Sequence, residues 1–396
     1  MVSTQIDIKG DPEAVLERYF QGLFVPSGAS SIRGGQTAAN QALAGLDITG
    51  YASTRSEVYP PQRRGASGLS PYIRHNLLTL KSVWKAVENA PFQDREKFRD
   101  ELMWQEYARH LYARVGTDLF KNLRYQQTWS TSGDGWGRGL ACVDLVVSEL
   151  EQEGWLVNQT RMWLASHWTV RNGLGWLEGQ ERMYRELLDG SRAANLLGWQ
   201  WTVGSGSGKP YGFARWQVEK RAPGICQSCP LQNSCPIENF PKEQQLLPAQ
   251  KLEALDFDPD LASTTGPLEV KRIAKPELVL LTIDSLGDAD PALAANPDLP
   301  VAFVFNKNAL AKLQLSGKRL IFYLETLQDL GQRRNLSVYL GDPYEFARGH
   351  KVAITHAPVP SFRKFNDLAE IHPYQWLRTP HSQGLGSFSA WRKKLR

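Results

Sequence analysis

Residues 135–168 read GWGRGLACVDLVVSELEQEGWLVNQTRMWLASHW. Within them Val143, Val146, Val147 and Leu150 recur at i, i+3, i+4 and i+7, the spacing of one helical face. Upstream, STSGDGWGRG at 130–139 is a glycine- and serine-rich break, and similar breaks fall at 27–35, 65–70 and 204–208. Between the breaks, helical patterning returns in Glu96–Arg114 and Gln180–Leu188. Asp11-Pro12 is a helix start, an N-cap acid followed by proline in the first turn. Residues 11 to about 240 therefore read as helical.

After Pro241 the texture changes. Residues 241–276 look like a linker. ELVLLTID (277–284), VAFVFN (301–306), SVYLGD (337–342) and KVAITH (351–356) are short apolar runs bounded by turn residues. GKRLIFYLETLQDLGQRR lies between the second and third as an amphipathic helix. Such alternation predicts a Rossmann-like, doubly wound parallel sheet. The expected organisation is multidomain α and α/β: an all-helical domain at 1–240, a linker at 241–276 and an α/β domain at 277–396.

Bulk properties narrow the function classes. With 42% hydrophobic and 22% charged residues, the 396-residue chain is of ordinary globular composition. No apolar run reaches the length of a membrane span, and MVSTQIDIKGDPEAV has no apolar core for a signal peptide. A cytoplasmic protein with no membrane partner is expected. The net charge of +5 permits an anionic partner such as nucleic acid without requiring one.

GICQSCPLQNSCP, residues 224–236, holds Cys226, Cys229 and Cys235, three of the chain's four cysteines. In a reducing compartment clustered thiols point to metal or redox chemistry rather than disulfides. A CxxC with one further Cys fits an incomplete zinc knuckle, three incidental thiols, or part of an iron–sulfur site needing four thiolates. Cys142 is the one remaining candidate for a fourth ligand.

The quoted stretch, followed by LLDGSRAANLLGWQW (187–201), resembles the flavin-binding domain of the photolyase/cryptochrome family. RGASGLSPYIRHNLLTL (64–80) and ELMWQEYARHL (101–111) are similar to that family's phosphate-binding loop and the helix after it. The family opens with an α/β antenna domain, whereas here the flavin domain comes first. LVLLTIDSLGDADPAL, PVAFVFN, SVYLGDPYEFARGHKVAITH and the closing GSFSAWRKKLR run in the antenna domain's order. The chain thus resembles a circularly permuted member, a rearrangement that domains with separate cores tolerate.

The resemblance implies FAD as cofactor. It places Ala66, Ser67, Gly68, Leu69 and Ser70 at the pyrophosphate, with Ala66 where the family usually has Thr. Tyr51 and Phe98 would pack on the cofactor, Arg161 and Asp189 would form a salt bridge beside the isoalloxazine, and Asn195 would face the flavin N5. Ser191, Gln105 and Ala108 depart from the family's Asp, Arg and Tyr. Trp199 and Trp176 match two members of an electron-hopping chain, and Trp129 or Tyr125 would supply the third. Cys142, Cys226, Cys229 and Cys235 match the layout of the bacterial iron–sulfur branch, implying a 4Fe–4S cluster, with zinc as the alternative.

Glu101, Trp104, Asn158, Met162 and Trp201 match the lesion-facing positions of cyclobutane-dimer photolyases. The implied activity is light-driven repair of pyrimidine dimers in DNA, with single-stranded or locally opened DNA preferred. Val157 and Asn158 stand where (6-4) enzymes carry paired histidines, which argues against that repair, and Gln159 replaces an Arg common in dimer repair. A cryptochrome-like photoreceptor is the alternative, and a redox protein built on the cluster a weaker one. A monomer is expected, and the sequence names no antenna pigment.

Overall fold

Asp11 and Pro12 open a helix as their chemistry dictates. It runs Pro12–Tyr19, with the Asp11 carboxylate accepting from the Glu13 N–H at 3.2 Å. The computed structural model describes residues 3–242 and 246–395. Residues 243–245 of the expected linker and Arg396 of the basic tail lie outside the described residues.

The VDLVVSEL run lies in the helix Ala141–Glu153, where Val143, Val146, Val147 and Leu150 are all buried. Gly154, left-handed at φ 63°, ends it. The helices Phe92–Val115, Asn158–Ser166, Trp176–Glu186 and Arg192–Thr202 share its apolar core.

A six-stranded sheet comprises β1 (Thr4–Ile6), β2 (Leu278–Leu281), β3 (Val301–Asn306), β4 (Leu336–Gly341), β5 (Val352–Thr355) and β6 (Ala369–His372), in the order β1-β4-β3-β2-β5-β6. β2 to β6 pair in parallel, and β1 joins β4 antiparallel. The four apolar runs of the sequence supply β2 to β5. Their near-continuous apolar composition suits strands covered on both faces. The helix Gly317–Gly331 also forms where expected.

Two strands of this sheet lie outside the sequence expectations. β6 reads AEIH, and its polar Glu370 and His372 are buried as a pair 3.0 Å apart. β1 comes from the segment assigned to the helical domain. Residues 4–20 pack with the α/β layer, Phe20 meeting Phe305 edge-on at 4.9 Å. The helical domain therefore starts after them rather than at residue 1. The linker is also partly ordered onto its neighbours: Lys271 bridges to β6 at Ile371, and Asp258 pairs with Arg114 at 3.2 Å.

The α/β layer grips the helical domain through Arg319 on the helix Gly317–Gly331. Fully buried, it donates to the carbonyls of Tyr184 and Gly190, each at 2.7 Å. Arg74 also reaches Gly190 O, at 3.1 Å, and pairs with Asp284 at 2.7 Å. Strand order reverses between β2 and β5, and a cavity of about 160 Å³ opens there, lined in part by Arg74, Arg109, Arg192 and Asp284. Among the described residues no helix is long and apolar enough to cross a membrane.

Candidate functional site

The loop at 66–70 turns on Gly68, whose φ of +70° would strain any side chain. Leu69 N–H reaches back to Ser67 Oγ at 3.4 Å. Ser70 begins the short helix Ser70–Arg74, and its hydroxyl accepts from the Trp155 indole N–H at 3.0 Å. Arg161 grips Asp189 with two bonds, 3.2 and 2.7 Å, while its Nε donates to Leu156 O at 3.0 Å. Burial alone would raise the Asp189 carboxyl, but Arg161, Ser70 and Arg319 outweigh it and hold the group below its ordinary range. Ser70, Arg161 and Asp189 therefore form one connected cluster; the resemblance implied the Arg161–Asp189 pair but not Ser70's part in it. Trp155, which sequence reasoning missed, supports it.

Tyr51 and Phe98 meet edge-on at 5.0 Å, both buried. Burial, then the Glu101 charge, push the Tyr51 phenol up against the opposing Arg55. Glu101 is half-buried and held at 3.4 Å by both Arg55 and Lys97. Asn195 is buried, and its amide nitrogen donates to the carbonyl and side-chain oxygens of Gln180 at 2.9 and 3.0 Å. What it retains for a cofactor is its carbonyl oxygen. Ser191 caps the helix Arg192–Thr202, accepting from Ala194 N–H at 3.3 Å. Gln105 is half-buried and Ala108 buried on the helix Phe92–Val115.

The lesion-facing residues fall into two groups. Trp104 is half-buried, and Phe388 stacks on it at 4.2 Å with an interplanar angle of 14°. Trp201 is exposed, its ring 5.4 Å from Tyr211, whose hydroxyl accepts from Gln159 at 3.0 Å. Asn158 is exposed and Met162 half-buried one turn later on the same helix. Among the described residues no hydrogen bond or ring contact joins Trp201 to Glu101 or Trp104.

Trp199 is buried with its indole N–H 3.4 Å from Met183 Sδ. Its aromatic neighbour is Trp136, at 6.5 Å, which in turn meets Trp168 edge-on at 5.1 Å. Trp176 and Trp129 are buried in the same core, but among the described residues neither makes a ring contact with Trp199. Sequence reasoning missed Trp136 and Trp168. The packing shows why Trp199 and Trp168 sit together: a Cβ at Gly179 would come within 2.4 Å of Trp199 and 2.8 Å of Trp168.

Cys142, Cys226, Cys229 and Cys235 are all free thiols lining one cavity, with Leu140, Ile225 and Ile237 as its apolar walls. Burial, with the three neighbouring thiols, pushes the Cys142 thiol up to about 12. Cys229 Sγ accepts from Ala141 N–H at 3.5 Å. Among the described residues no group of three or more His, Cys, Asp or Glu is placed to hold a metal ion.

Residues 98–219 match the family model described as the FAD binding domain of DNA photolyase. That span contains Phe98, Glu101, Trp104, Arg161, Asp189, Asn195 and Trp201. It stops before Cys226 and excludes the α/β layer. The chain is 30% identical over 169 residues to the deoxyribodipyrimidine photo-lyase of Vibrio cholerae, covering 38% of this chain and 36% of that one. It is 31% identical over 214 residues to that of Thermus thermophilus, covering 50% and 48%. An archaeal photolyase structure from Sulfolobus tokodaii aligns with a TM-score of 0.43 at 20% identity, over 53% of this chain and 50% of that one. The matches thus span between about a third and a half of these curated relatives' length. The helical segment that carries the Arg161–Asp189 cluster is therefore similar to the FAD binding domain of DNA photolyase.

Proposed function

We propose that the protein repairs cyclobutane pyrimidine dimers in DNA by light-driven electron transfer from bound FAD. The observation that carries this reading is the connected cluster of Ser70, Arg161 and Asp189, two of whose members lie inside the matched segment. The donor set suits the cofactor. Ser67 offers a hydroxyl to a phosphate oxygen, and Gly68 leaves open space where a side chain would otherwise stand. Arg161 brings a positive charge that favours an anionic ring, and Asn195 offers an oxygen that does not titrate.

Reduced FAD, when bound and excited by light, supplies an electron to the dimer and takes it back after the cyclobutane ring opens. The chain's own residues prepare the substrate. Trp201 and Trp104 stack on the flipped bases, with Trp201 presenting the open ring. Glu101 accepts from the base N–H groups of the dimer, and its partners Arg55 and Lys97 bring the positive charge that stabilises charge developing on the carbonyls. Trp199 and its aromatic neighbours relay electrons that return the flavin to its reduced state.

The four cysteines are proposed to hold a 4Fe–4S cluster. What supports the reading is that the four free thiols line one small cavity with apolar walls, in the number of thiolates such a cluster takes. Its role is to staple the end of the helical domain. The flavin segment at 98–219 precedes strands β2 to β6, which supports the reading of a circular permutation. The photoreceptor alternative draws on Phe388 covering one face of Trp104, together with the altered Gln105, Gln159 and Ser191.

The test is substitution under repair conditions. Glu101→Ala should lower the dimers split per photon without lowering flavin content. Trp201→Ala should weaken binding of dimer-containing DNA by roughly 1–3 kcal/mol, the worth of one stacked base. Wild-type yield and affinity in both variants would favour the photoreceptor.

A further inference from the structure

Beyond Trp201 the surface continues as a row of aromatic rings that the repair chemistry does not use. Trp201 is 44% exposed beside Tyr211, and Trp216 and Phe240, 52% and 54% exposed, stand 6.1 Å apart. The two pairs meet. Pro241, adjacent to Phe240, packs so tightly on Gly212, adjacent to Tyr211, that a Cβ on Gly212 would come within 2.5 Å of the proline ring. The row therefore runs Trp201, Tyr211, Phe240, Trp216.

Its support is held in place. Arg215 N–H donates to Ile237 O at 2.7 Å, joining the segment that carries Trp216 to the one that carries Phe240. Arg171 donates to the carbonyls of Phe213 and Asn239, spanning the same two segments. Residues 209–242 contain Lys209, Arg215, Lys220, Arg221 and Lys242 against Glu219 and Glu238, five cations less two carboxylates, a net charge of +3. Arg215 is paired with Glu219 and Glu238, and Arg221 with Glu57, whereas Lys220, one turn after Trp216, and Lys242, two residues after Phe240, are exposed.

Exposed rings set among cations match a strand whose bases are unpaired and whose backbone is anionic. Every unpaired base offers a π-face, whereas in a duplex those faces are already stacked. We propose that this row is a track for single-stranded DNA, leading from the lesion-facing Trp201 towards the cysteine loop. The proposal deepens the DNA reading of the same surface and rests on it for the identity of the polymer.

The test is fluorescence anisotropy in the dark with a labelled oligothymidylate of about 12 nucleotides, within the usual site size of such grooves, carrying no dimer. Trp216→Ala and Phe240→Ala should each weaken binding about tenfold, and Trp216→Tyr should restore most of it. Affinity for undamaged duplex should not move. Splitting of an isolated dimer dinucleotide, too short to reach Trp216, should continue at the wild-type yield. Unchanged oligothymidylate affinity in both alanine variants would overturn the proposal. So would an equal loss for duplex, which would mark a phosphate surface only, or wild-type self-association that the variants abolish, which would mark an interface between copies. Wild-type protein that binds oligothymidylate through Trp216 yet splits no dimer would refute repair and leave the track standing.

Discussion

Asp189 is the residue on which the proposed flavin pocket turns, because it joins Arg161 to Ser70. Its pair is only partly shielded, with Arg161 one-quarter exposed and Asp189 buried. Asp189→Asn should therefore destabilise by about 2 kcal/mol, less than the 3–5 kcal/mol of a fully buried broken pair, and should release flavin. Urea unfolding and the flavin-to-protein absorbance ratio measure both, and a variant that keeps its flavin would remove the pair from the pocket wall. The pair was legible in the sequence because Arg161 and Asp189 sit in distinctive text. Ser191 was legible only as a departure. Its role as helix cap to Ala194 depends on where the chain enters the helix Arg192–Thr202, which residue type alone leaves open. Asn195 was legible in position but not in orientation, since Gln180 takes its nitrogen.

The helix Phe388–Arg392 illustrates what an element adds. Trp391 is fully buried against the helix Phe92–Val115, its indole N–H donating to His110 Nδ1 at 3.0 Å. Arg392 pairs with Asp100 on that helix. Trp391→Ala should cost about 3–5 kcal/mol, the usual loss for a buried Trp, read as a lower urea midpoint. A shift under about 1 kcal/mol, well below that usual loss, would mean the terminal helix is only loosely docked. The sequence alone places the closing GSFSAWRKKLR with the α/β domain and not against the helix Phe92–Val115. Lys393 is exposed, but the anchoring Trp391 depends on a contact with a residue far earlier in the chain. The cysteine loop was legible from spacing, and Cys142 from being the only cysteine left. Cys142→Ser should abolish a 4Fe–4S cluster, whose full content is about four iron and four sulfide per chain, and lower stability by removing folding energy supplied at the site. Stoichiometric zinc without iron in the wild type would contradict the cluster. The aromatic relay was only half legible. Trp199 was found, but Trp136 lies in a glycine-rich loop whose path decides which ring reaches it. Replacing Trp199 with Phe should slow flavin photoreduction sharply, followed as loss of oxidised-flavin absorbance under blue light.

At the scale of the molecule, the parallel sheet was legible because β2 to β5 are apolar runs of strand length. The edges were not. β1 is three residues long, and β6 buries a Glu–His pair that no apolar pattern signals. The junction between the layers also carries a pH response. Glu106 is fully buried with Oε1 accepting from Arg378 N–H at 2.9 Å and Oε2 unpartnered. Burial, against the pull of Arg109, pushes its carboxyl up to about 7. A raised carboxyl means that the folded state holds the proton more tightly, so its contribution is greatest below the unfolded value, falls as pH rises from about 4.5 to 7, and is gone above that. Glu106→Gln should be more stable than the wild type at pH 8 by roughly 1–3 kcal/mol and near equal at about pH 4.5, since every tenfold gain in proton affinity on folding is worth about 1.4 kcal/mol. An equal difference at both pH values, by urea unfolding, would show that Glu106 does not titrate there. Splitting of pyrimidine dimers by bound FAD and light is the reaction proposed for this molecule. It is tested most directly by following the return of intact thymine absorbance in a dimer-containing oligonucleotide, with the flavin fully reduced and oxygen excluded. Blue light should restore the absorbance and darkness should not; no recovery under light, with reduced FAD verified in the same cuvette, would contradict the account.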